Sequence, residues 1–131
     1  MFIEATSLTI VTPELETAKA FYQEHFAAHP VFDCGWYVVL AFAHSSAAQQ
    51  LCLMQPQSGM APYQGGMFLN LQVDHADTIH HKLKQQGVAI ALPLEDHAWG
   101  DRGFGVLDPA GLMVYCYHPI AANEEFQQYF K

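Results

Sequence analysis

Hydrophobic and polar positions along this 131-residue chain change period several times. Residues 6–11 (TSLTIV) are rich in β-branched side chains and predict a strand. Thr12-Pro13-Glu14 then has the composition of a helix start. Thr12 is a capping residue, Pro13 suits the first helical position, and Glu14 and Glu16 favour the positive helix end. Leu15, Ala18 and Tyr22, flanked by Phe21 and Phe26, form an apolar stripe at helical spacing. The helix is expected to stop before His29-Pro30. Residues 31–42 hold two strand-like pieces around Gly35, HSSAAQQ (44–50) reads as a polar turn, and residues 51–54 read as a short strand. QPQSGMAPYQGG (55–66) concentrates Gly and Pro among polar residues and contains a linker at 57–65.

The pattern then restarts. Residues 67–73 alternate, with Leu69, Leu71 and Val73 on one face and Phe68, Asn70 and Gln72 on the other. Asp74-His75-Ala76-Asp77 predicts a capped helix start, Ala76, Ile79 and Leu83 one apolar face, and Gly87 the helix end. Residues 88–92 (VAIAL), 103–108 (GFGVLD) and 112–118 (LMVYCYH) predict three strands, the last two joined by a type I turn at Asp108-Pro109-Ala110-Gly111. Residues 121–131 read as a final helix with Phe126, Tyr129 and Phe130 on one face, to dock on the body or on a partner chain. The whole reads as one α+β domain of two βαβββ modules, about 1–56 and 66–119, the second starting about 62 residues after the first with Val11 laid on Val73. One such unit cannot cover both faces of its own sheet, so two units or two chains must pair.

Composition narrows the function classes. Apolar residues make up 51% and charged residues 14%, so a folded core is expected rather than disorder. No apolar run has membrane-spanning length and no secretory signal is visible; neither a membrane partner nor a secreted destination is expected. The cysteines, Cys34, Cys52 and Cys116, are odd in number and form no C-x-x-C pair, which fits a reducing cytoplasm. A formal charge of −8, with five basic residues, argues against nucleic-acid binding. It favours cationic ligands or is simply a solubility device.

Specific residues then resemble a known family. VTPELETAKAFY (11–22) is similar to the strand-to-helix entry of the vicinal-oxygen-chelate superfamily, the glyoxalase/bleomycin-resistance-like proteins. Trp99-Gly100-Asp101-Arg102, then Phe104 and Asp108-Pro109-Ala110-Gly111, resembles its W-G-x-R…F…D-P-x-G hairpin. The resemblance covers about residues 6–119. It implies two βαβββ modules forming a curled mixed sheet around a central cleft, and a homodimer. In metal-dependent members it also implies four inward-facing His or Glu ligands. Those positions fall on Thr6 or Ser7, Cys52, Phe68 and Tyr115. A divalent ion needs three or four converging N, O or S donors. Phe68 offers none, and a phenol and a hydroxyl are poor ligands, so no metal and no cofactor are expected. Elsewhere, His25 and His29 are i and i+4 at the expected end of the first helix, short of a full ligand set and read as a solvated last turn.

The same placement suggests what lines the cleft. Tyr115 brings Met113 and Tyr117, Phe68 brings Asn70 and Gln72, and Cys52 brings Met54, because strand side chains alternate. The surface is aromatic and soft, with no evident general base or nucleophile. Trp99 is either a stacking wall, as the resemblance to drug-binding members implies, or an anchor for its loop. Trp36 is a second wall or, as expected here, core filling. Arg102 is a ligand clamp or, as expected, a structural partner of Asp96, Asp101 or Asp108. Glu95, Asp96 and Asp101 are a steering rim or a solvated one. The expected function is metal-independent binding of an antibiotic or aromatic metabolite, cationic or aromatic in character, by sequestration. The alternative is a metal-dependent glyoxalase- or dioxygenase-type enzyme.

Overall fold

β-branched and leucine-rich segments form strands, and the two apolar helical stripes lie against them. The computed structural model describes residues 1–42 and 49–131; residues 44–48 of the expected polar turn lie outside the described residues. The first unit, Met1–Gly65 with Asp108–Gly111, holds β1 (Thr6–Val11), α1 (Leu15–Phe26), β2 (Ala28–Asp33), β3 (Tyr37–Phe42) and β4 (Gln49–Met54). The second, Gly66–Leu107 with Leu112–Lys131, holds β5 (Phe68–Gln72), α2 (Ala76–Gln85), β6 (Leu92–His97), β7 (Asp101–Leu107), β8 (Met113–Pro119) and the short α3 (Glu124–Gln127). Each unit is a four-stranded mixed sheet, ordered β1-β4-β3-β2 and β5-β8-β7-β6, with a parallel first pair and antiparallel neighbours beyond it. Among the described residues no helix is long and apolar enough to cross a membrane.

In the first unit Leu15, Ala18 and Tyr22 of α1 are wholly buried, as are Val38, Leu40, Leu51 and Leu53 of the sheet. The Tyr22 hydroxyl donates to Asp108 Oδ2 at 2.6 Å. In the second unit Ala76 and Leu83 of α2 are buried, as are Phe104, Val106, Val114 and Cys116. The Asp108 turn closes as expected: Gly111 N donates to the Asp108 carbonyl at 3.0 Å and Ala110 N to the Asp108 carboxylate at 2.8 Å.

Several expectations are corrected. The first helix begins at Leu15, after Pro13, because the Thr12 hydroxyl accepts from Glu14 N at 3.0 Å while Thr12 N extends the sheet to Met54 O. Glu14 therefore becomes the cap, without a side-chain bond. That helix ends at Phe26 on a left-handed Ala27, so His29 lies in β2 and the His25/His29 helical pair does not exist. His25 is buried, packed edge-on against Phe21 at 5.0 Å, and is not solvated. The strand expected at 88–92 lies at 92–97 instead. Pro93 does not end it because β6 is a sheet edge, where a missing N–H is tolerated, and a bulge between Leu92 and Glu95 absorbs the irregularity. The final helix is confined to Glu124–Gln127, capped by Asn123 Oδ1.

The internal repeat is real in topology, but its offset is 61 residues. Thr12 N donates to Met54 O just as Val73 N donates to Tyr117 O, so Thr12 rather than Val11 matches Val73.

Candidate functional site

The β6–β7 hairpin creates the site. Its three-residue turn, Ala98-Trp99-Gly100, closes with Gly100 N donating to His97 O at 3.0 Å and makes His97 and Asp101 a cross-strand pair. Gly100 has φ of 114°, and its open side lies against Ala122 and the Ile120 carbonyl. The segment after β8 is tied to this turn, with Ile120 N on Gly100 O and Asn123 N on Ala98 O, each at 2.9 Å.

Asp101 is the hub of the polar groups. Its Oδ1 lies 2.7 Å from His97 Nδ1 and accepts the Tyr115 hydroxyl at 2.7 Å. Its Oδ2 accepts the Trp99 indole N–H at 2.9 Å. Burial alone would raise the Asp101 carboxyl, but the Tyr115, His97 and Trp99 donors outweigh it and hold the group below the ordinary carboxylate value. Tyr115 moves the other way: burial first, then the bond to the Asp101 carboxylate, push its phenol well above its usual value, so it stays a neutral donor. An ionised carboxylate only accepts, so His97 presents an N–H at Nδ1 and leaves Nε2 toward Glu95, whose Oε1 is 3.4 Å away. The indole of Trp99 stacks on the imidazole with centroids 4.4 Å apart and planes 2° from parallel.

These groups sit on a pocket of about 380 Å³ within the second unit, within the size range of small-molecule sites. Phe68, Leu92, Pro93, Trp99 and Tyr115 give it aromatic and apolar walls, and Asn70, Glu95, His97 and Asp101 its polar groups. Tyr115 reaches its place because β7 has no side chain at Gly103: a Cβ there would lie 2.6 Å from the Tyr115 hydroxyl and 2.8 Å from the Cys116 carbonyl.

Of the residues singled out from the sequence, the pocket unites Trp99, Phe68, Asn70 and Tyr115. Met113 and Tyr117 share the Tyr115 side of β8, Tyr117 stacking on Tyr115 at 5.8 Å, but neither lines the pocket. Cys52, Met54 and Trp36 belong to the first unit. Trp36 is 50% exposed, which corrects the core-filling expectation. Arg102 is corrected as a ligand residue. It alternates onto the helix side of β7, where it grips Asp77 through two bonds of 2.8 and 3.0 Å and Asp96 through a third of 3.0 Å. Asp96 is among the partners expected from the sequence; Asp77, which Arg102 holds at a pKa of about 2, is not. From the sequence alone no general base is evident, and His97 and Asp101 do not stand out as a pair. Their signal was the i, i+4 spacing across Trp99-Gly100, legible only once β6 is read through Pro93.

The sequence profile described as "Glyoxalase/Bleomycin resistance protein/Dioxygenase superfamily" matches residues 5–115. The chain belongs to this superfamily. No curated protein matches the chain. A superfamily member from Sphaerobacter thermophilus DSM 20745 superposes with a TM-score of 0.73 at 24% identity, covering 90% of this chain and 98% of that one. TnmS3, an antibiotic binding protein from Streptomyces sp. CB03234, gives 0.71 at 24% identity over 90% and 97%. A lactoylglutathione lyase from Agrobacterium tumefaciens gives 0.68 at 20% identity over 89% and 92%. At these identities the likeness is one of fold.

The positions that the family resemblance assigns to metal ligands are Thr6 or Ser7, Cys52, Phe68 and Tyr115. Within the internal repeat Ser7, not Thr6, is the counterpart of Phe68, because Ser7 faces Gln50 across β1–β4 as Phe68 faces Met113 across β5–β8. The set does not fit a divalent ion. Phe68 has no donor atom, and the phenol of Tyr115 keeps its proton and donates a hydrogen bond to Asp101. Among the described residues no three His, Cys, Asp or Glu side chains are arranged to hold a metal.

Proposed function

We propose that this protein binds a small planar aromatic molecule in the pocket of its second unit, without a metal ion, and acts by sequestering it. The observation that carries the reading is the state of Trp99. It is 50% exposed, yet its N–H is bonded to Asp101, one ring face is stacked on His97 and its ring lies edge-to-face with Phe126, centroids 6.5 Å apart. A tryptophan fixed on several sides but left open is a stacking wall ordered before any ligand arrives, which lowers the entropy cost of binding. Phe68, also exposed, and Tyr115 supply further aromatic surface. No lysine or arginine lines the pocket, while Glu95 and Asp101 do, which favours neutral or cationic rings over anionic ones. That the same fold serves an antibiotic binding protein supports a drug-like ligand class by analogy alone.

Titration with acridine and phenazine, followed by thermal shift and by calorimetry, tests the reading. Binding of at least one ring system is expected, and Trp99→Ala is expected to weaken it by more than ~1 kcal/mol. Because Trp99 is half exposed, its removal leaves the buried core intact. No shift with either compound, or an unchanged dissociation constant in the variant, overturns the proposal.

A further inference from the structure

The pocket holds more polar organisation than sequestration requires. Three donors that line it, the His97 Nδ1–H, the Tyr115 hydroxyl and the Trp99 indole N–H, all converge on the carboxylate of Asp101. The imidazole is thereby fixed in tautomer by the carboxylate, in plane by the parallel indole and in position by the His97–Asp101 pairing of β6 and β7. Nε2 makes no hydrogen bond among the described residues; its nearest charged neighbour is Glu95, 3.4 Å away, with a side chain 58% exposed. A histidine of a pocket whose Nδ1–H is held by a half-buried carboxylate, and whose other nitrogen is left without a hydrogen bond beside an exposed carboxylate, has the arrangement that general-base catalysis needs.

We propose that His97 and Asp101 form a metal-independent proton-transfer site, with His97 Nε2 as the base, for a planar aromatic or conjugated molecule bearing an acidic C–H. The inference rests on the reading that the pocket accepts an aromatic ring, and goes beyond it to a reaction. Nε2 takes the proton, and the C–H electron pair moves into the conjugated system of the substrate. It either forms a new π bond while a leaving group departs, or returns to a proton at a second carbon as an isomerisation. No oxidant or metal enters the balance. Asp101 is a positioning residue that also balances the imidazolium formed. The charged and titratable groups facing His97 are Asp101 and Glu95 with the phenol of Tyr115, and the exposed Glu95 is placed to pass the proton to solvent.

The test uses 5-nitrobenzisoxazole, a planar ring whose base-catalysed opening needs a single proton abstraction. The proton leaves C3, its electron pair forms the nitrile, and the N–O bond breaks to a phenolate that absorbs visible light. The expected result is turnover at least about 10²-fold faster than with free imidazole at the same concentration. His97→Gln is expected to abolish that advantage and, with it, the rise in rate with pH. Asp101→Asn is expected to lower kcat more than it changes KM. The exposed His81→Ala serves as control and is expected to keep the wild-type rate. Calorimetry with 5-nitrobenzotriazole, a similar ring with no isoxazole to open, reports whether the pocket of each variant is intact. Binding of that ring by the wild type without accelerated turnover overturns the proton-transfer site and leaves the binding reading standing. Turnover kept in His97→Gln but lost in Glu95→Gln assigns the base to the carboxylate and likewise overturns it. If the wild type binds no ring at all, both proposals fall.

Discussion

Asp101 and Gly103 decide the pocket at the level of single residues. Asp101 gathers three donors, and its carboxyl is held below the ordinary value of 3.8. The folded state therefore favours the ionised form. The stabilisation is fully present above pH 3.8 and is lost as the pH falls from there through the lowered folded value. Asp101→Asn is expected to cost about 1–3 kcal/mol at pH 7. It should also flatten that part of the acid limb in a urea-unfolding series against pH. Gly103→Ala attacks the same cluster sterically. Its Cβ would meet both the Tyr115 ring and the backbone carbonyl of Cys116, and a carbonyl in a sheet ladder cannot swing aside. A loss of about 1–3 kcal/mol is expected on unfolding, with weaker ring binding, because Tyr115 must leave its place.

Among the elements, α2 is held by polar contacts as well as apolar ones. Ala76 N, an orphan donor of its first turn, gives its proton to His118 Nδ1 on β8 at 2.9 Å, and Asp77 is clamped by Arg102 of β7. His118→Ala should destabilise the protein by about 1 kcal/mol and speed amide exchange in the first turn of α2, leaving its last turn unchanged. This cap was not legible in the sequence, since it joins residues 42 apart in the chain. What could be read was what local pattern dictates: the two βαβββ modules, the alternation that puts Phe68 and Asn70 on one face, and the Asp-Pro-Ala-Gly turn. What escaped depended on a neighbour. Pro93 is harmless only because β6 is an edge, and without that strand Glu95 and His97 do not fall on a common side.

Over the whole molecule, the two units share one topology but differ at the strand positions that flank the pocket of the second. Met54 and Tyr117 occupy matching positions on the fourth strand of each unit. Their sheet partners are Tyr37 on β3 and Gly103 on β7, and two residues along the pairs are Val39 with Cys52 and Gly105 with Tyr115. The first unit thus fills with a phenol and a valine the places that the second leaves to glycine. The emptied strand lets Tyr115, Met113 and Leu92 lie close against β7, and Trp99, His97 and Asp101 stand at its mouth. In the proposed reading, recognition falls to the rings of Phe68, Tyr115 and Trp99. The chain has two tryptophans, so Trp36→Phe leaves Trp99 as the sole indole reporter. The direct measurement is a titration of that variant with acridine, following Trp99 fluorescence, before and after exhaustive chelation with EDTA. Saturable quenching with the same dissociation constant in both conditions is the predicted result. Absence of quenching, or quenching abolished by chelation and restored by an added divalent ion, would contradict it.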